Sequence, residues 1–145
     1  MLTWWFRSLA LAKQTPEWHR ARLREELLER RNATTPLQKL SETSDVFFCI
    51  SRAVYEGCSA RRPPAAATLR HALVYGYMLA KYTVRWQFYR TTAVLCRASC
   101  CDRVCEVVNP RKAVKLDEVA SRHDLDVARF RRTATLLRKI WPLLP

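Results

Sequence analysis

The sequence contains only two glycines, Gly57 and Gly76, among 145 residues. A protein built from many short β-strands needs more glycines than this at its turns. The hydrophobic fraction of 49% and the charged fraction of 27% are ordinary for a folded globular chain. Together with long stretches of helical periodicity, this predicts an all-α protein, folded as a single-domain bundle of five to six helices around a long central helix.

The sequence also lacks a hydrophobic run long enough to cross a bilayer. The longest charge-free apolar stretch in the middle of the chain, Ala72 to Ala80, is shorter than the ~20 residues that a membrane helix needs. We therefore predict no transmembrane span. We divide the chain into an apolar and basic segment, 1–14, and one helical domain, 15–145.

The N-terminal segment does not have the form of a secretory signal, because Arg7 interrupts it and no basic region precedes its apolar part. We expect it to form an extra helix that packs Trp4, Trp5 and Leu9 on the body. The predicted location is intracellular, in the nucleus or cytoplasm. A mitochondrial location is the alternative, since the first acid in the chain is Glu17.

Catalytic and metal-binding motifs are absent from the sequence. It has no glycine-rich phosphate loop, no Gly-x-Ser-x-Gly elbow and no His-Glu-x-x-His motif. The cysteine cluster Cys96-x-x-x-Cys100-Cys101-x-x-x-Cys105 lacks the Cys-x-x-Cys knuckle of structural zinc sites. We predict free thiols, with a disulfide, an acylation site or a metal site as alternatives. We predict no cofactor, no metal and no catalytic residue.

Acidic residues are missing from two long parts of a chain whose net charge is +13. None occurs between Glu56 and Asp102, and none follows Asp126. A solvated basic face and an anion-binding surface both account for such runs. A strongly basic balance favours nucleic acid, acidic lipid surfaces or acidic proteins as partners.

Helix boundaries are marked by clear signals. Thr15-Pro16 and Thr35-Pro36 each place a capping residue before a proline suited to the first helical turn. The helix after Pro16 carries Trp18, Leu23, Leu27 and Leu28 on a helical period, which predicts its buried side. The helix after Pro36 is expected to end near Gly57, and Glu42 and Asp45 are interpreted as helix-start charges.

The remaining helices are predicted over 68–98, 102–108, 116–123 and 127–140. In the longest of them, apolar residues form two stripes on opposite sides, so we expect it to be packed on two sides. Trp141-Pro142 is expected to stop the last helix, leaving an apolar tail of Leu143, Leu144 and Pro145.

The run from Leu116 to Phe130 resembles a helix-turn-helix. Small Ala120 permits a close crossing, Asp124 takes the turn position usually held by glycine, and Asp126 can cap the second helix. In a DNA reader the first turn of the second helix meets bases or phosphates, but here it offers no long donor. A helical hairpin used only for packing is therefore favoured over one that reads DNA.

Several stretches resemble a group of small uncharacterised filamentous-fungal proteins. They are Lys115 to His123, Trp141 to Pro145, Thr35-Pro36-Leu37, Ser41 to Asp45 and Tyr77 to Tyr82. The resemblance covers about 18–145 and implies one self-contained domain. It implies no activity, cofactor or site residue.

The function predicted from the sequence is that of a basic helical binding or adaptor module for an anionic partner, with nucleic acid first. The residues predicted to contact phosphate are Arg129, Arg131, Arg132 and Lys139, with Lys81 and Arg85 as further candidates. One alternative is a small helical enzyme or accessory protein of a fungal metabolic pathway, and the other is a mitochondrial accessory protein. The oligomeric state is left open.

Overall fold

The computed structural model describes residues 2–59 and 61–141. Within these residues it forms six α-helices and one 3-10 turn, with no β-strand. The helices are α1 (Leu2–Leu9), α2 (Pro16–Asn32), α3 (Pro36–Tyr55), α4 (Leu69–Leu95), α5 (Ala113–Arg122) and α6 (Val127–Ile140). The predicted all-α class is confirmed.

The chain divides into two compact units, Met1–Ala80 and Lys81–Pro145. The first contains α1, α2, α3 and the beginning of α4, and the second contains the rest of α4 with α5 and α6. Across the described ranges, every helix is too short or too polar to pass through a membrane.

The starts of α2 and α3 are capped as predicted. Thr15 Oγ1 accepts the N–H of Trp18 at 3.2 Å. Thr35 Oγ1 accepts the N–H of Gln38 at 3.2 Å, while Gln38 Oε1 accepts the N–H of Thr35 at 3.1 Å. This reciprocal pair is a capping box, and each cap satisfies amide donors that the helix itself leaves open.

Four helices are followed by a residue with positive φ: Ala10 at 48°, Gly57 at 78°, Arg97 at 54° and Asp124 at 52°. After the last three, the next N–H bonds back to a carbonyl in the last helical turn, as Cys58 does to Ala53 at 2.7 Å. This is the Schellman arrangement, in which a left-handed residue closes the helix. The predicted end of α3 near Gly57 is confirmed.

The core of the first unit is aromatic. Trp5, Phe6 and Leu9 of α1 are buried, and Phe6 lies 5.6 Å from Phe48 of α3 between ring centroids. The prediction that α1 buries Trp5 and Leu9 is confirmed. The prediction for Trp4 is wrong, because its side chain is 72% exposed and Phe6 takes the inward position.

The predicted buried side of α2 is wrong. Trp18, Leu27 and Leu28 are all exposed, and the buried residues of this helix are His19 and Glu26. The reason lies in the contact with α3, which is polar: His19 Nε2 donates to a carboxylate oxygen of Glu56 in the α3 C-cap at 2.9 Å. Polar partners on the facing helix thus outweigh the apolar period of the sequence.

The second unit has its own core, formed by the last part of α4, the following loop and the closing helices. Its fully buried members include Phe88, Tyr89, Val104, Leu116 and Phe130. Phe88 and Tyr89 are adjacent in sequence and both buried, as the prediction of a helix packed on two sides requires. At the ends of α4 the second stripe is not buried, since its outermost leucines are exposed.

The predicted helix over 102–108 does not form. Cys101–Arg103 make a single 3-10 turn, and the chain is irregular from Val104 to Lys112. Val104 and Val107 are buried in this irregular segment, and Val104 belongs to the core cluster. Val104 and Val107 are β-branched and three residues apart, a spacing that indicates a helix only weakly because β-branched residues have low helix propensity. Here they anchor a loop instead.

The last helix covers 127–140 as predicted and ends with Trp141 as its cap residue. Pro142 and the predicted apolar tail lie outside the described residues.

Candidate functional site

The closing helices α5 and α6 pack on each other, joined by four residues that contain two acids. Asp124, at the turn position usually held by glycine, has a left-handed conformation, and the N–H of Leu125 bonds to the carbonyl of Ala120 at 2.9 Å. Asp126 Oδ1 accepts the N–H of Arg129 at 2.9 Å, so its predicted capping role is confirmed. The connection is therefore fixed by hydrogen bonds at both helix ends.

A buried aromatic contact and an ion-pair cluster hold the pair in place. Phe130 of α6 is fully buried and stacks on Tyr89 with ring centroids 6.4 Å apart. Glu106 Oε1 accepts Arg122 Nη1 at 2.6 Å and His123 Nε2 at 3.1 Å, at the end of α5. The inner side of α6 is thus fixed, which leaves its outer side as the accessible surface.

The outer side of α6 carries the basic face, which we define as Arg129, Arg132 and Lys139. All three side chains are exposed, and α6 contains no acid. At 100° per residue, Arg132 and Lys139 lie about 20° apart around the helix and about 10 Å apart along it. Arg129 is one turn from Arg132, so the three charges span roughly 15 Å.

Arg131 is placed differently from its neighbours. Its guanidinium forms a two-point contact with the carboxylate of Asp117 on α5. The hydrogen bond from Arg131 holds the pKa of Asp117 below its ordinary value. Arg131 is therefore already paired within the protein, and a phosphate must compete with Asp117 to reach it.

Lys81 and Arg85 are not on the surface. Their exposed fractions are 4% and 7%, and both positively charged groups lie against the ring of Tyr82, at 6.0 and 5.6 Å from its centroid. The prediction that these side chains project beside the aromatic stripe of α4 is wrong. Burial removes them from contact with an external polymer, so they do not belong to the phosphate-contacting residues.

Arg111 and Lys112, which were not among the predicted site residues, lie beside the end of α6. Arg138 Nη1 donates to the carbonyl of Arg111 at 3.0 Å, which brings the Arg111-Lys112 segment to the last turns of the helix. The Lys112 side chain is exposed. The sequence does contain a signal for this basic segment, because no acid occurs from Val107 to Leu116.

The N-terminal end of α6 is unsuited to phosphate. The positive end of a helix ordinarily attracts anions, but Asp126 already occupies it and Asp124 lies two residues earlier. An anion is therefore repelled from the first turn and attracted to the side of the helix.

Three thiols of the cysteine cluster have hydrogen-bond acceptors. Cys96 Sγ donates to Thr133 Oγ1 at 3.4 Å, Cys100 Sγ to the carbonyl of His123 at 3.7 Å, and Cys105 Sγ to that of Asp102 at 3.4 Å. The first two contacts join the cysteine segment to α6 and to the end of α5.

No family model, curated protein or solved structure matches this chain. The resemblance to small filamentous-fungal proteins stays a prediction, and the site has to be interpreted from its own geometry.

Proposed function

We propose that this protein binds nucleic acid through the basic face of α6, contacting the phosphate backbone without reading bases. The observation that carries the proposal is the exposure of Arg129, Arg132 and Lys139 on one acid-free helix whose opposite side is anchored by Phe130. A rigid row of cations over roughly 15 Å suits a polymer with regularly spaced phosphates.

The lack of base reading follows from the first turn of α6. Val127 and Ala128 have no hydrogen-bonding side chain, and the Asp126 carboxylate is used in capping. Arginine and lysine contacts to phosphate fix position and affinity but carry no sequence information. The proposed role is therefore that of a sequence-independent binding or adaptor module.

The test is the double variant Arg132→Gln/Lys139→Gln, measured for binding to a short duplex over a range of salt concentrations. Two of the three phosphate contacts are lost, so the slope of log K against log salt should become shallower by about 2. The measurement is fluorescence anisotropy of a labelled duplex.

The matched control is Arg24→Gln/Arg31→Gln on α2. These two arginines are also exposed, also seven residues apart, and their loss changes the net charge equally. The control should keep the slope of the unaltered protein. An equal loss in both double variants would show that overall charge, and not the basic face, accounts for binding.

A further inference from the structure

The α2–α3 hairpin of the first unit contains a concentration of carboxylates that the nucleic-acid proposal does not use. Glu26 and Glu29 on α2 and Glu42 on α3 each offer an oxygen, and these oxygens lie within 4.8 Å of one another. The two helices are joined by only three residues, Ala33 to Thr35, and pack along their length. Three carboxylates are thus held together by the fold in a chain of net charge +13.

Glu26 is the unusual member of this cluster. Its side chain is 1% exposed, and one oxygen pairs with Arg22 while the other, Oε2, is buried with no hydrogen-bond partner. A buried carboxylate oxygen without a donor is costly, because water no longer solvates it. Buried charges in proteins are ordinarily paired or coordinate a metal.

The positive charge next to this cluster is shared. Arg22 pairs through Nη1 with Glu25 at 2.5 Å and through Nη2 with Glu26, and its side chain is 40% exposed. Asp45, Glu29 and Glu42 add further negative charge around Glu26. One shared arginine therefore faces several carboxylates.

We propose that Glu26, Glu29 and Glu42 form a binding site for a hard divalent cation, Ca²⁺ in the first place. Calcium takes carboxylate oxygens at ~2.3–2.6 Å, so opposite ligands are roughly 5 Å apart. The three oxygens all lie within 4.8 Å of one another, which is close enough for one such ion to contact them all. Magnesium demands near-ideal octahedral geometry at ~2.1 Å, which three side chains on two helices satisfy less easily than the flexible coordination of calcium.

The three ligands have complementary positions for such a site. Glu29 is exposed, Glu42 is half-buried and Glu26 is buried, so the site opens to solvent at the Glu29 side. A cation entering there can keep water on its open side while Glu26 supplies the inner ligand. Calcium accepts water together with carboxylates in its coordination shell.

The prediction that Glu42 and Asp45 are helix-start charges is wrong. They are the seventh and tenth residues of α3, and Asp45 is 6% exposed. Both lie beyond the first turn, and only the first turn of a helix favours anions.

The experiment is calorimetric titration of the full chain, freed of metal with a chelator, with CaCl₂ and separately with MgCl₂. One Ca²⁺ per chain should bind with a Kd below about 1 mM, and Mg²⁺ should bind more weakly. Glu29→Gln should weaken Ca²⁺ at least about tenfold, because an exposed ligand is lost without disturbing the core. Glu17→Gln, on the same helix and equal in charge change, should bind as the unaltered chain does.

Glu26→Gln separates binding from folding. It removes the inner ligand and should abolish the rise in thermal unfolding temperature that Ca²⁺ produces, while the metal-free variant unfolds cooperatively. Two results overturn the proposal: no Ca²⁺ binding up to about 1 mM, or equal weakening by Glu29→Gln and Glu17→Gln. Neither result would contradict the proposed nucleic-acid binding, since the titration contains no nucleic acid and the basic face belongs to the other unit.

Discussion

At the scale of single residues, the environment of a charged side chain differs sharply from one position to the next. Lys81 and Arg85 are buried against an aromatic ring, Arg131 is paired with Asp117, and Arg132 is open to solvent. A formal charge of +13 therefore overstates the number of cations available to a partner. The residues that can bind an anion are those that the fold leaves exposed.

The pKa of the buried Glu56 carboxylate is lowered, whereas that of Glu26 is raised. Burial by itself raises the pKa of Glu56, but the backbone N–H of Gln14 and the side chains of Arg52 and His19 outweigh burial and lower it. Glu56 Oε1 accepts Arg52 Nε at 2.6 Å, and Oε2 accepts both other donors at 2.9 Å. Complete hydrogen bonding thus keeps one glutamate ionised, whereas Glu26 lacks it.

Glu26 leads to a prediction about pH. Its pKa of about 7 in the folded chain exceeds the ordinary 4.5, so the folded state holds a proton that the unfolded state releases. The free energy of unfolding should therefore fall as pH rises from about 4.5 to about 7, by at most about 1.4 kcal/mol per pH unit. Glu26→Gln does not titrate, so it should gain stability relative to the unaltered protein as pH rises.

The measurement is urea unfolding in the presence of chelator at pH 4 and pH 8, which bracket this window. Glu17→Gln serves as the control and should follow the unaltered protein at both values, since Glu17 is exposed. If Glu26→Gln and the unaltered protein show the same pH dependence, Glu26 does not carry the proton.

At the scale of helices, α5 regulates how much of α6 is open to an anion. Asp117 on α5 occupies the guanidinium of Arg131, while Arg129, Arg132 and Lys139 are exposed. The contact lies at the surface, where an ion pair contributes little to stability. Its main effect is therefore on the number of cations that α6 presents.

Removing this contact should strengthen nucleic-acid binding. In Asp117→Asn the side chain no longer holds Arg131 as an ion pair, and a fourth cation joins the basic face. The slope of log K against log salt should become steeper by about 1. Anisotropy titration with the same labelled duplex measures it.

Glu118→Gln is the matched control, because Glu118 adjoins Asp117 and pairs with Lys115 at 2.7 Å. It changes the net charge equally but leaves Arg131 paired, so its slope should stay near that of the unaltered protein. Identical slopes for both variants would contradict a specific role of the Asp117 contact.

At the scale of the whole molecule, the distribution of charge decides how the protein should respond to salt. If three contacts of the basic face carry binding, the slope of log K against log salt is about −3. If the whole charge of +13 took part, the slope would approach about −12. Measured slopes near the larger value would refute binding by α6 alone.

The affinity of the protein for a duplex should also be independent of base sequence, because the first turn of α6 lacks side chains that reach base edges. Duplexes of equal length and different sequence should compete equally for the protein. A strong preference for one sequence in a competition assay would point to contacts other than phosphate.

Features that depend on neighbours in the chain could be predicted from the amino-acid sequence. Thr15, Thr35, Gly57 and Asp126 each fix a helix boundary through hydrogen bonds or backbone conformation within a few residues. The absence of acids from α6 is likewise a property of the chain alone. These features were predictable because their causes are local.

The buried side of each helix and the pairing of charges became known only from the folded chain. The buried side of α2, the burial of Lys81 and Arg85, and the contact of Arg131 with Asp117 depend on residues brought together from distant parts of the chain. The cluster of Glu26, Glu29 and Glu42 has the same origin. Helical period shows which residues share a side, but packing alone selects the side that faces the protein.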